Sequence, residues 1–205
     1  MDGDEGFHPT VIFDEPYWVH DFTRPPAEGW VCPYPFSVGR YDEPRPWMYT
    51  DDLFEGVRHH HVGLDLGAPA MTPIHACWDG EVWSTGVNDE PGSYGPTLIT
   101  VHEAPLPSTV GEPPSGPPVR FFVLYGHLHG DSLATMSVGQ TVRRGEVIGR
   151  LGTEDENGGW VPHVHVQMAL EEPAVCDLPG VVTPEERQDA LNRYPDPRLI
   201  CGPLY

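Results

Sequence analysis

His61-Val62-Gly63-Leu64-Asp65 alternates polar and apolar side chains, and Pro162-His163-Val164-His165-Val166 repeats that alternation about a hundred residues later. A strand turns successive side chains to opposite faces, so residues two and four apart point the same way. On this reading His61, Gly63 and Asp65 look into a cleft, while Val62, Leu64 and Leu66 enter a core. His163, His165 and Gln167 are divided in the same way from Val164, Val166 and Met168. Two such strands side by side bring His61, Asp65 and one of the two later histidines around one ion. Same-face neighbours on a strand lie roughly 6.5–7 Å apart, so the other histidine stands just outside the ligand set. An imidazole with an ordinary pKa of about 6.5 suits proton transfer there. Two histidines and one aspartate, with the fourth position left to water, make a donor set for catalytic zinc.

The run Phe121–Leu124 is aromatic and β-branched and leads through Tyr125-Gly126 to His127, which reads as a buried strand delivering a third histidine at its end. Glycines punctuate short apolar alternations over Val138–Gly152, the rhythm of tight turns. With 25 prolines and 23 glycines in 205 residues, a mainly β chain with few long helices is expected. Three segments follow. Residues 1–57 form a Pro- and Trp-rich extension packed on the core, its prolines interrupting regular elements. Residues 58–170 form the core, and 171–205 a C-terminal extension with one short helix. Trp18, Trp30, Trp47, Tyr34 and Tyr41 are most simply packing residues, with walls of a substrate groove as the alternative. Glu103–Pro118 is a long hairpin loop between strands Leu98–His102 and Val119–Tyr125, either a lid or a solvated excursion. Thr183-Pro184-Glu185-Glu186 carries a capping box and starts a helix running to about Tyr194. His75 and His129 are candidates for the hydrogen bonds that fix a ligand's tautomer.

A chain of this length with 39% apolar residues supports one domain with a sizeable core. The net charge is -20 and every basic side chain other than histidine is arginine. Such a surface repels phosphate backbones and anionic lipid, so neither nucleic acid nor membrane is an expected partner. Met1–Asp14 has no basic n-region or apolar h-region, and no stretch approaches the roughly 18 apolar residues of a membrane span, so a cytoplasmic location is expected. Cys32, Cys77, Cys176 and Cys201 lack a Cys-x-x-Cys pair and read as isolated thiols, two disulfides being the alternative.

The His-x-x-x-Asp of His61 and Asp65, the Tyr-x-His of Tyr125 and His127 and the His-x-His of His163 and His165 occur together with Ala68–Ala76, the turn Asp79-Gly80-Glu81-Val82 and the Val138–Gly149 segment. In order and spacing this resembles the lysostaphin-type zinc endopeptidases, bacterial peptidoglycan hydrolases, over about Arg58 to Met168. The resemblance implies an antiparallel β-sheet core and one zinc ion held by His61, Asp65 and His165, with His127 and His163 as the catalytic pair. It implies a metallopeptidase that cleaves an amide bond in a glycine-rich or D-amino-acid peptide through an activated water. Tyr125 and Gln167 join His75 and His129 as supporting candidates. A narrower likeness runs through Ser37–Glu43, Tyr49-Thr50, Glu156–His163, Asp177–Val181 and Tyr194–Pro197, which resemble the peptidase-like module fused to class III aminotransferases in some bacteria. Gln167 stands where typical wall hydrolases carry glutamate, which leaves the substrate open, while the acidity, the absent signal and the narrower likeness point toward a small or intracellular substrate instead. Two further readings are a non-catalytic binding module and a cupin-like oxygenase using His163, His165 and Glu171. The second leaves His61 and Asp65 unexplained.

Overall fold

A computed structural model describes residues 6–205; Met1–Glu5, the first part of the acidic start, lie outside the described residues. Thirteen strands follow in chain order: β1 (Tyr17–Val19), β2 (Phe36–Gly39), β3 (Glu43–Pro44), β4 (His60–His61), β5 (Leu64–Gly67), β6 (Pro73–His75), β7 (Gly80–Asn88), β8 (Gly95–Ala104), β9 (Val119–Gly126), β10 (Thr141–Val142), β11 (Val147–Arg150), β12 (His163–Ala169) and β13 (Val181–Val182). The helices are short: α1 (Gly130–Ala134), α2 (Arg187–Arg193) and α3 (Arg198–Cys201). The fold is mainly β.

Eight strands form the main sheet in the order β1-β2-β5-β12-β9-β8-β7-β10. Every neighbouring pair in it is antiparallel except β1 and β2. Both faces are covered, which is why β9 reads as a continuous apolar run rather than an alternation. Phe121, Val123 and Tyr125 join Leu98, Val164, Val166 and Met168 in one core cluster. Phe122 and Leu124 join Ile99, Ala169 and Val62 in a second cluster. On β12 the apolar residues Val164, Val166 and Met168 face the first cluster, so His163, His165 and Gln167 are left on the opposite face.

The expected continuous strand over His61–Leu66 is broken. His61 belongs to β4, in a small sheet ordered β13-β4-β3, whereas Asp65 belongs to β5 in the main sheet. Val62 and Gly63 lie between the strands; Val62 N donates to Gly180 O at 2.9 Å. Val62 consequently packs in the second cluster while Leu64 and Leu66 pack in the first.

Residues 6–57 are more regular than their prolines imply. Pro25, Pro26, Pro33 and Pro35 fall between β1 and β2, so both strands form, and β2 pairs with β5 through Ser37–Gly67, Val38–Leu66 and Gly39–Asp65. At the other end, Glu186 N donates to Thr183 Oγ1 at 3.3 Å and Thr183 N to Glu186 Oε2 at 3.1 Å, the reciprocal pair of a capping box. Helix α2 starts just after it, and α3, which the sequence reading did not include, adds one turn after Pro197. All four cysteines are free thiols.

Candidate metal centre

Register brings the candidate ligands together. On the β5–β12 ladder Asp65 stands opposite His165, and on the β12–β9 ladder His165 stands opposite Gly126. His61 arrives from the small sheet because the chain bends at Gly63, whose missing side chain makes room for the His165 ring. A Cβ built there would lie 2.2 Å from His165 Cε1 and 2.3 Å from Nε2. The three donor atoms form a near-equilateral triangle. His61 Nε2 is 3.1 Å from His165 Nδ1 and 3.2 Å from Asp65 Oδ1, and His165 Nδ1 is 3.1 Å from Asp65 Oδ1. Tetrahedral bonds of about 2.0–2.1 Å place ligand atoms about 3.3 Å apart, so the triangle has the size such an ion needs.

Hydrogen bonding assigns the protons. His61 Nδ1 is 2.9 Å from Arg40 O, a carbonyl that can only accept, so Nδ1 carries the hydrogen and Nε2 a lone pair. Gln167 Nε2 donates to Pro179 O at 3.4 Å, which turns Gln167 Oε1 toward His165 Nε2 at 3.0 Å. His165 Nε2 therefore donates, and Nδ1 is the free base. Tyr94 Oη, which donates to Leu178 O at 3.0 Å, lies 3.4 Å from the same His165 Nε2 with its lone pair. The short His61–His165 approach is then two lone pairs facing each other beside a carboxylate oxygen, with no hydrogen between them. A cation at the centre would offset the repulsion between them. Among the described residues, this is the one group of at least three metal-ligating side chains so arranged. A nitrogen–nitrogen–oxygen set suits a borderline divalent ion.

Electrostatics keep the set in its ligating form. Burial pushes His61 down to about 4, and the Arg45 guanidinium adds to that. For Asp65 burial acts upward, but the His61 and Arg45 neighbours outweigh it and hold the carboxyl well below its usual range.

His127 and His163 stand beside the triangle with ring centroids 4.3 Å apart. His163 Nδ1 donates to Val161 O at 2.7 Å and His127 Nδ1 to Asn157 O at 2.7 Å, so each keeps its Nε2 lone pair free. His163 Nε2 lies 3.8 Å from Asp65 Oδ1. Burial lowers both pKa values, and for His127 the proximity of His163 acts in the same direction. Both are neutral near pH 7 and competent to take a proton. His127 adopts φ 63°, a left-handed conformation uncommon outside glycine, pinned by His127 N donating to Tyr94 O at 2.7 Å.

Of the supporting candidates, only Gln167 touches a ligand. Tyr125 lies in the first core cluster, on the face of the sheet away from His165. His75 bonds Gly145 O at 3.0 Å and packs against His8, and His129 caps α1 by accepting from Asp131 N. Neither lines the cleft. His60 is buried, its Nε2 2.7 Å from Asp42 Oδ1.

Sequence reading missed Arg45, Tyr94 and Asn157. Arg45 Nη1 donates to Asp65 Oδ2 at 2.7 Å, and Asn157 brackets the Trp160 backbone while holding His127. The cleft above the triangle has a volume of about 930 Å³. Its walls include Phe22, Trp30, Trp47, Tyr49, Phe54 and Trp160, so the N-terminal segment supplies much of the aromatic lining. Trp30 and Trp47 thus serve as groove walls rather than only as packing. No residue of the Glu103–Pro118 loop lines this cleft, which removes the lid reading.

No family model matches the chain, and no curated protein does. Several solved structures are similar to it. The catalytic domain of the antimicrobial peptidase lysostaphin from Staphylococcus simulans shares 19% identity over 73% of this chain and 90% of that one, with a TM-score of 0.47. LytU shares 18% over 82% and 99%, with a TM-score of 0.46. A zinc-containing peptidase from Vibrio cholerae shares 23% over 54% of this chain, with a TM-score of 0.37, and this chain spans 27% of its length.

Proposed function

We propose that the chain is a zinc-dependent metallohydrolase that cleaves an amide bond. The observation that carries this reading is the triangle of lone pairs on His61, His165 and Asp65, with two neutral imidazoles alongside. Zinc held by these three residues supplies an activated water, with a pKa near about 7, and a Lewis acid for the scissile carbonyl. His163, partly open to the cleft and 3.8 Å from the ligand oxygen of Asp65, accepts the proton at Nε2. His127, its ring packed against His163 and its Nε2 lone pair free, is the alternative acceptor of that proton, and only once protonated at Nε2 could it donate to the charge that develops on the carbonyl oxygen. The same pair returns the proton to the departing amine.

The cleft favours the small-molecule form of this reading over a carboxylate-bearing wall peptide. Trp30, Val31, Val87 and Val161 are exposed apolar side chains among those that line it. Among the described residues the arginines that line it are Arg45, paired with Asp65, and Arg58, which donates to Leu53 O. Asp89, Glu90 and Asp177 line it as well, so a neutral or cationic amide with apolar flanks suits the walls. The test is metal analysis of the purified chain, followed by a panel of N-acyl amides and glycyl and D-alanyl peptides assayed with and without chelator. Metal retention and chelator-sensitive hydrolysis are expected. A chain that neither retains nor takes up zinc refutes the proposal.

A further inference from the structure

The oxygen of Asp65 that faces away from the triangle is already occupied. Arg45 Nη1 donates to Asp65 Oδ2 at 2.7 Å, leaving Oδ1 alone among the three donor atoms. The same guanidinium reaches a second ligand indirectly, because Nη2 donates at 3.1 Å to Arg40 O, the carbonyl that receives His61 Nδ1–H at 2.9 Å. Its Nε donates to Glu43 Oε2 at 3.0 Å and its Nη1 also reaches Tyr49 Oη at 3.1 Å. Arg45 is 2% exposed, so this fork is fixed by packing. Gly39 clears the space: a Cβ there would lie 2.7 Å from Asp65 Oδ2 and 2.9 Å from Arg45 Nη2.

We propose that Arg45 is a positioning residue of the metal centre, which holds Asp65 to a single coordinating oxygen and braces His61 through the Arg40 carbonyl. The proposal rests on the metal-binding reading above. A carboxylate with both oxygens free can close on an ion with two bonds, filling a position that a hydrolase needs open. With Oδ2 engaged by a planar, permanently charged fork, that second bond is denied. A residue serving only to neutralise Glu43 would have no need to reach Asp65 and Arg40 at once.

The test uses the whole chain loaded with Co²⁺ in place of zinc, since four-coordinate cobalt absorbs visible light more strongly than five- or six-coordinate cobalt. Arg45→Met combined with Glu43→Gln removes both buried charges together, and Phe22 N, 3.2 Å from Glu43 Oε1, keeps an acceptor in the glutamine. Arg45→Lys retains the charge and loses the fork. The double variant is expected to bind zinc about 10–100-fold more weakly, as for other groups that orient ligands, with a severalfold weaker visible band. Arg45→Lys falls between it and the parent. An unchanged cobalt spectrum and unchanged zinc affinity in a double variant with parental circular dichroism overturn the proposal. If the double variant does not fold, the same two measurements on Arg45→Lys decide. Failure of the parent chain to bind either ion instead removes the metal reading itself.

Discussion

Replacing Gly63 with alanine tests the site through a single methyl group that touches no metal. The new Cβ would sit 2.2 Å from His165 Cε1, 2.3 Å from Nε2 and 3.0 Å from Nδ1. Non-bonded carbons rest about 3.5–4.0 Å apart, so the ring or the backbone must give by more than about 1 Å. The ring has little freedom, being held by Gln167 at 3.0 Å and Tyr94 at 3.4 Å on its Nε2 side. Overpacking of this kind costs about 1–3 kcal/mol, a fall in Tm of about 2–12 °C for a domain of this size. The larger effect is on the ion: a shift of about 1 Å in Nδ1 opens a triangle whose edges are 3.1–3.2 Å. Disturbing a group that merely orients a ligand costs about 10–100-fold in affinity, so displacing the ligand itself is expected to cost at least about 100-fold. Competition with a chromophoric chelator reads the affinity, and thermal unfolding with and without zinc reads the stability. Gly6→Ala, with nothing within 4 Å of the new Cβ, is the control. Parental zinc affinity in Gly63→Ala, at an unchanged Tm, would refute the packing argument.

Gln167→Leu removes the acceptor that sets the His165 tautomer; zinc affinity should weaken about 10–100-fold, and a chelator titration identical to that of the parent contradicts the assignment. His163→Ala should keep zinc and lose about 10²–10⁴-fold in turnover, so a fully active variant removes its proton-transfer role. His102, buried beside Thr100 and the Asp79 carbonyl, is pushed by burial down to about 4. As pH falls below its ordinary value of about 6.5 the unfolded chain takes up the proton first, so stability present above about 6.5 is lost down to about 4 and then levels off. The loss is about 3 kcal/mol at most. His102→Gln should flatten that part of the stability–pH curve, and an undiminished slope in urea titrations between pH 7 and 4 counts against it.

The strand alternation around His163 and His165 was legible because the apolar partners Val164, Val166 and Met168 declare which face is buried. The alternation brought His61 and Asp65 together with one of His163 and His165, and only the resemblance assigned His165 and His127 their separate places. Tyr125 misled for a physical reason: two residues from His127, it would share a face with it in a regular strand. The strand instead ends at Gly126, and His127 turns out of it with positive φ. The single strand drawn through His61 and Asp65 failed because a glycine between them yields its side-chain space to a residue a hundred positions away. Arg45 and Asn157 carry no periodic signal. Their place depends on where proline-rich and glycine-rich loops return to the sheet, which local pattern does not encode.

The ligands come from two different sheets, His61 from the small one and Asp65 and His165 from the large one. An ion held there would act as a rivet between them as well as a reagent. Anything that binds the folded chain alone adds RT ln(1 + [L]/Kd), about 4 kcal/mol at a thousandfold excess over Kd. On the proposed reading, resistance to unfolding would become a readout of free zinc, and starvation for the ion would loosen the joint at the same moment that it silences the chemistry.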